Sequence, residues 1–340
     1  MTDPTFSSPI KTDMLAHGGR LTEARRLFPG APNPFIDLST GINPVAYPIP
    51  VLSAEVFARL PEPEALGGLQ AAAASAYGAA DAAMVVAAPG TQILIDLLPR
   101  LFARDAVTIW GPTYAEHEAA WRRAGAVVKV TTALEDIQGA HNVMLCNPNN
   151  PDGRRSSGEA LAALADRLAE HNGLLIVDEA FVDFEETALS VVPYLPKPNL
   201  VVLRSFGKSY GLAGLRLGFA LAAPEVASFI RTALGPWAVS GPAIEIGGKA
   251  LADAAWRELA VARLERDATR LDVLLRKAGF LIVGGTKLYR LVEHPKASGF
   301  FERLGRAGIL VRRFAEQPHW LRFGIPGDVT QWARLQKALL

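Results

Sequence analysis

The chain has 340 residues, half of them hydrophobic and a fifth charged, which supplies a sizeable core and excludes global disorder. Its 35 Lys and Arg nearly balance 34 Asp and Glu, and the net charge of +1 argues against a general nucleic-acid binder without excluding a small anionic ligand. The single cysteine, Cys146, excludes an internal disulfide framework and any multi-cysteine metal site, so no metal is expected and a reducing, cytoplasmic setting is.

The first 40 residues are polar, Pro-rich and weakly periodic. They hold no apolar stretch of the kind a secretory signal needs, and no apolar run reaches the ~18 residues of a membrane span. Short apolar runs bounded by Gly, Pro, Asn or Asp then predict strands at 84–86, 107–110, 127–130, 143–146, 174–177, 200–203 and 217–220. Helical periodicity fills most of the gaps, clearest at 91–102, 115–124 and 158–170. Uninterrupted apolar strands alternating with helices predict an α/β fold, a mostly parallel seven-stranded sheet covered on both faces. Gly235-Pro236 marks a break. Beyond it, 243–278 reads as one or two helices. Strand-like runs at 280–283, 287–292, 309–313 and 320–325, with a helix at 299–307, predict a smaller α+β domain. The expected division is an N-terminal segment 1–40 packing with the small domain and the active site, a large domain 41–235 and a small domain 236–340.

The segment from Ser205 through Lys208, Gly211 and Gly214 to Arg216 sits between two predicted strands. A lysine flanked by glycines can approach a carbonyl without hindrance, and partial desolvation lowers its pKa, as carbonyl chemistry requires. Ser205 and Arg216 can both ligate a phosphate. The competing reading is a glycine-rich turn with a surface Lys and Arg.

This segment resembles the lysine loop of pyridoxal-phosphate enzymes of the aspartate aminotransferase fold type, in which the lysine carries the cofactor. Further pieces follow the family order. Asp178-Glu179-Ala180-Phe181 ends a predicted strand, and the resemblance makes Asp178 the acid held against the pyridine nitrogen; a helix N-cap is the local alternative. Many relatives have Tyr where this chain has Phe181, so a hydroxyl toward the cofactor's phenolic oxygen is missing. Asn147 through Gly153 resembles the Asn-Pro-x-Gly turn, with Asn150 as the amide on that oxygen; such turns are also common without function. Gly90 and Thr91 open a helix after a strand, where backbone N–H groups and the local dipole suit the cofactor phosphate. Tyr114 aligns with the aromatic that stacks on the pyridine ring.

The termini resemble more narrowly the L-threonine-O-3-phosphate decarboxylases of cobalamin biosynthesis. The residues concerned are His17-Gly18-Gly19 above all and the run from Asp37 to Asn43-Pro44, while the pairs Arg312-Arg313 and Arg322-Phe323 resemble an arginine pair shared with the related histidinol-phosphate aminotransferases. The resemblance implies a phosphorylated amino acid as substrate, with Arg322 on its carboxylate and with Arg312, His17, Gly18, Asn43 and Asn150 around the substrate. Arg313 points to the opposite face if the segment is a strand. It also implies Lys208 as the group that returns a proton to Cα after CO₂ leaves, and a homodimer. Leu60 stands where many relatives have a Tyr that reaches the neighbouring subunit's cofactor phosphate. Two other readings compete: an aminotransferase for histidinol phosphate or a related amine, and a non-catalytic ligand-binding protein on the same fold.

Overall fold

The chain's structure, a computed structural model, describes residues 18–340. In chain order the strands are β1 (Ile36–Leu38), β2 (Val85–Ala88), β3 (Ala106–Trp110), β4 (Val127–Thr131), β5 (Asn142–Cys146), β6 (Leu174–Asp178), β7 (Leu200–Arg204), β8 (Gly218–Ala222), β9 (Leu281–Thr286), β10 (Tyr289–Glu293), β11 (Ile309–Phe314) and β12 (Gln317–Gly324). Seven of them form one sheet in the order β2-β8-β7-β6-β5-β3-β4. Strands β3 to β7 run parallel, whereas β8 is antiparallel to both β7 and β2. The fold is thus the expected mixed α/β sheet. No helix among the described residues is long and apolar enough to cross a membrane.

Burial explains why these runs became strands. Every position of β2, β6, β7 and β8 is buried, so both faces are covered and the polar alternation of a half-wet sheet is absent. Successive residues serve opposite layers. Val177 belongs to the apolar cluster that holds Leu69, Leu164 and Phe219 on one side, while Ile176 belongs to the one that holds Leu94, Trp121 and Ile230 on the other. Each such side chain contributes roughly 1.5–3 kcal/mol on burial. Capping fixes the helix starts: Ser157 Oγ accepts from Ala160 N–H at 3.2 Å to open Gly158–Ala169.

The chain divides into two compact units. The larger holds residues 42–269 and 284–288, the smaller, among the described residues, 18–41 with 270–283 and 289–340. The composition break at Gly235-Pro236 therefore falls inside the larger unit, and the chain leaves it within the continuous helix Ala254–Lys277. The reason is packing: helix Gly241–Ala252 lies in the same apolar cluster as Leu69 and Val177, through Ala243, Ile244, Ala250 and Leu251. In the smaller unit the sheet order is β1-β11-β12-β10-β9, with β1 parallel to β11 and β12 antiparallel to both its neighbours.

One consequence positions the chemistry. Strands β2, β3, β5, β6 and β7 all point the same way, so the segments that follow them emerge along one edge of the sheet. Those segments begin at Pro89, Gly111, Asn147, Glu179 and Ser205, and four of the five lead into or contain predicted site residues directly. Ligands in open α/β sheets bind outside the carboxyl ends of the strands.

Candidate active site

Asp178 closes β6 with 5 % of its surface exposed. Cys146 is its direct partner in the β5–β6 register. Helix Ala115–Arg123 lays His117 over the pair, with Nε2 2.9 Å from Asp178 Oδ2, and Cys146 Sγ lies 3.9 Å from the same oxygen. These three donor atoms lie within 4.8 Å of one another, close enough for a divalent ion as well as for the hydrogen bonds described. The other carboxylate oxygen accepts from Ala180 N–H at 3.0 Å, but the segment that follows is a turn, so Asp178 is not a helix cap. Burial raises the Asp178 carboxyl. The His117 hydrogen bond and charge, then the Lys208 charge and the Ala180 N–H, outweigh it and hold the group below the usual carboxylate range. Burial works against a charged His117, yet Cys146 and Asp178 push its pKa up to about 10. A buried carboxylate kept ionised in this way is ready for a cationic partner such as a protonated ring nitrogen. Sequence reasoning missed His117. It lies one helical turn after Tyr114, but nothing local in the sequence reveals a bond to a residue sixty positions away.

The lysine loop starts where β7 ends. Ser205 leads into the helical turn Phe206–Ser209. There the half-buried Lys208 donates from Nζ to Ser205 Oγ at 3.3 Å and sits 5.0 Å from the centre of the Phe181 ring. Glycine is required at 211, where φ is +68° and a Cβ would stand 2.7 Å from Asn43 O and Ala46 Cα. The segment around Asn43 straps this loop: Asn43 N–H donates to Lys208 O and Tyr47 N–H to Tyr210 O, both at 2.8 Å. Asn43 Nδ2 donates to Ser209 O at 2.8 Å, and its Oδ1 accepts from Arg263 Nη2 at 2.7 Å and from Val45 N–H at 3.1 Å. Expected beside the substrate phosphate, Asn43 here spends its buried side-chain amide on bracing the lysine loop.

The phosphate turn is the clearest test of whether pyridoxal phosphate fits. Gly90, with φ +85°, precedes helix Thr91–Phe102, and a Cβ on it would meet Arg216 Nη2 at 2.5 Å. A Cβ on Gly218 would meet Thr91 N at 2.6 Å. A guanidinium is thus pressed against the positive end of a twelve-residue helix, an arrangement that repels itself until an anion lies between. Arg216 is exposed, and its guanidinium beside Gly90 at the start of the helix leaves it able to meet a phosphate group there. Gly90→Ala is expected to weaken cofactor binding about tenfold or more, since strained backbone costs roughly 1–3 kcal/mol, and equilibrium dialysis would measure it.

Tyr114 donates from its hydroxyl to Gln92 Oε1 at 3.2 Å and meets His117 edge-to-face at 5.7 Å. Asn150 lies on the turn after β5. That turn is anchored by Asn147, whose N–H donates to Asp178 O at 2.9 Å and whose Nδ2 donates to Leu189 O at 2.8 Å. The larger unit thus gathers Gly90, Thr91, Tyr114, Asn150, Asp178, Ser205, Lys208 and Arg216 on the loops of one sheet edge.

In the smaller unit, Arg322 on β12 is buried and donates from Nη2 to Ser39 O at 2.9 Å, with its guanidinium 5.0 Å from the centre of the Tyr289 ring. Burial pushes Arg322 down to about 10; Tyr289 opposes this and the charge of Arg312 adds to it. Arg312 on β11 is directly opposite Arg322 in the register, so both guanidiniums share one face. Arg313 turns to the other face, 5.1 Å from the centre of the Phe301 ring. Gly18 is pressed against Ser39, since a Cβ there would stand 2.6 Å from Ser39 O, and Gly19 N–H donates to Ser39 Oγ at 2.8 Å. Gly18 therefore packs on the same carbonyl that Arg322 uses. His17 lies outside the described residues.

Comparison with known proteins agrees with this geometry. The family model "Aminotransferase class I and II" matches residues 34–339. A threonine-phosphate decarboxylase from a Sinorhizobium species is 43 % identical over 98 % of this chain and 98 % of its own. One from Pseudomonas aeruginosa is 40 % identical over 96 % and 98 %. Among solved structures, histidinol-phosphate aminotransferase from Sinorhizobium meliloti, in complex with pyridoxal-5'-phosphate, superposes with a TM-score of 0.81 at 22 % identity, over 94 % of this chain and 92 % of the other. With the matched sequence and the lysine loop, carboxylate and phosphate turn on one sheet edge, the chain belongs to the aminotransferase class I and II family.

Proposed function

We propose that the chain is a pyridoxal-phosphate-dependent decarboxylase that converts L-threonine O-3-phosphate to (R)-1-amino-2-propanol O-2-phosphate and CO₂, a step of cobalamin assembly. The observation that carries this reading is the Arg312–Arg322 pair on one face of the smaller sheet. Two like charges directly opposite each other are unfavourable. A substrate bearing both a carboxylate and a phosphate would offer each planar guanidinium an anion for a two-bond grip. Likeness over nearly the whole chain to two threonine-phosphate decarboxylases supports the same substrate.

When bound, pyridoxal phosphate supplies a protonated ring that draws electrons from the substrate's Cα. Asp178, held ionised by His117, keeps the proton on the ring nitrogen. Gly90, Thr91, Ser205 and Arg216 would hold the cofactor phosphate, with Tyr114 on its ring and Asn150 on its phenolic oxygen. Arg322 fixes the substrate carboxylate, while Arg312, with Gly18 and His17, takes the substrate phosphate. By holding that carboxylate, Arg322 would favour loss of CO₂ over loss of the α-hydrogen. Lys208 Nζ then delivers a proton to Cα.

We also read the protein as a cytoplasmic homodimer. Val51 is 99 % exposed, and Phe57, Leu60 and Trp237 are exposed in the same unit, the last lining a cavity of about 540 Å³ with Pro61, Leu66 and Val239. Large apolar side chains left in water mark an interaction surface. Sedimentation equilibrium is expected to read twice the chain mass.

The deciding experiment incubates the loaded protein with L-threonine O-3-phosphate and follows CO₂ and the form of the cofactor together. Repeated CO₂ release with pyridoxal phosphate retained is the expected result. Conversion to pyridoxamine phosphate without CO₂ would replace this reading with an aminotransferase for histidinol phosphate or a related amine. Absence of both signals would leave the fold and cofactor in place and the substrate open.

A further inference from the structure

The turns that carry Tyr114 and Asn150 are joined by two side chains to which no role has been attached so far. Arg154 reaches from the end of the second turn to the first, donating from Nη2 to Trp110 O at 3.0 Å and from Nη1 to Gly111 O at 3.2 Å. Its guanidinium carbon lies 4.0 Å from the centre of the Trp110 ring. Asn149, fully buried, donates from Nδ2 to Pro112 O at 2.9 Å. Three successive carbonyls, the last of β3 and the first two of the turn after it, are therefore held by one neighbouring turn. The holder is itself closed: Asn149 N–H donates to Arg154 O, and Gly153 N–H to Asn149 O, both at 2.8 Å. Asp152 Oδ1 accepts from Asn149 Nδ2 at 2.8 Å and from Arg154 N–H at 3.0 Å.

We propose that Arg154 and Asn149 are positioning residues that fix the Tyr114 ring and the Asn150 amide relative to each other. Tyr114 follows Pro112 by two residues and Asn150 directly follows Asn149, so neither can shift without stretching this clamp. The chemistry requires arginine. A planar fork can span two adjacent carbonyls while its face lies on an indole, whereas a lysine ammonium reaches one carbonyl at a time and presents no flat face. Misplacing a reacting partner by about 1 Å can cost on the order of 10²-fold in rate. The inference rests on the reading above in taking Tyr114 and Asn150 to face the cofactor.

The test loads full-length wild type, Arg154→Met, Arg154→Lys, Asn149→Ala and Tyr114→Ala with pyridoxal phosphate. It measures the cofactor dissociation constant, the visible circular dichroism of the bound cofactor and the thermal midpoint. Arg154→Met and Arg154→Lys are both expected to weaken binding about tenfold and to reduce the dichroism in the direction that Tyr114→Ala does. Adding Arg154→Met to Tyr114→Ala should then change the dichroism little further. A purely structural role would lower the thermal midpoint and leave dichroism and affinity of the folded, loaded protein at wild-type values, which overturns the inference. Rescue of both signals by lysine overturns it as well. If Arg154→Met fails to fold, Arg154→Lys and Asn149→Ala decide on the same readouts. Wild-type signals in Tyr114→Ala would instead show that the assignment of Tyr114 to the cofactor has failed, and the inference with it.

Discussion

Lys208→Ala is expected to lose the visible absorption of the loaded protein and to lower the rate of CO₂ release by at least about 10³-fold, the scale on which a general acid and a covalent anchor contribute together. Two things are removed at once. One is the amine that lies 3.3 Å from Ser205 Oγ. The other is a positive charge that helps hold the Asp178 carboxyl down. Lys208→Arg separates them, because it keeps a charge while lacking a usable amine. Rapid-mixing absorbance with single-turnover CO₂ measurement should find both variants inactive. Substantial turnover in Lys208→Arg would mean that the proton to Cα comes from elsewhere, and turnover in Lys208→Ala would remove the loop from the chemistry altogether.

Arg204→Ala is expected to be the costliest single change to stability. Arg204 ends β7 fully buried, with Nη2 2.9 Å from Glu179 Oε2 and Nη1 2.6 Å from Asp183 Oδ1. Ser190 Oγ bridges the set, 2.8 Å from Arg204 Nη2 and 2.9 Å from Glu179 Oε2. Burial already raises both carboxyls, with Arg204 opposing it. Removing the arginine leaves two buried acids without their cation, which costs about 3–5 kcal/mol. The sign of the pH dependence follows. With folded-state carboxyl pKa values above those of the unfolded chain, the folded state binds more protons in the window between them, and stability falls as pH rises through it. Denaturant titrations should therefore show a larger loss at pH 8 than at pH 5. The triple variant Arg204→Met, Glu179→Gln, Asp183→Asn should recover most of the loss, because no charge is then left buried. Equal loss at both pH values would assign the effect to packing.

Much of this architecture could be read along the chain. The apolar runs at 84–86 and 174–177 became β2 and β6 within a few residues, because a strand buried on both faces announces itself by continuous apolarity. Direction did not show: β8 looks like its neighbours in sequence yet runs against them, since the pattern of a buried strand carries no polarity. The short β1 escaped as well, for three residues are too few to show a period, and its partner lies at the other end of the chain. In the site, Lys208 and Asp178 stand in dense motifs. His117 and Arg154 act through contacts made only after folding, one across the sheet edge and one between turns. Arg312 and Arg313 divide between two faces as alternation predicts, with Arg312 brought level with Arg322 by a register that two separate runs could not reveal.

The pairing of β1 with β11 has a consequence for biosynthesis. Ile36 lies beside Ile309, with all of the larger unit encoded between them. On the ribosome, β1 emerges before the larger unit and β11 after it, so the smaller sheet is completed only once the larger unit has been made. Loop closure over that distance costs only logarithmically more than over a shorter one, which makes the interval a delay more than an energetic barrier. During it, a nascent polypeptide presents Ile36 and Leu38 without their partner. The waiting strand is three residues long with Asp37 at its centre, and brevity and charge are the two features that best keep an open edge from pairing with a neighbour on the same messenger.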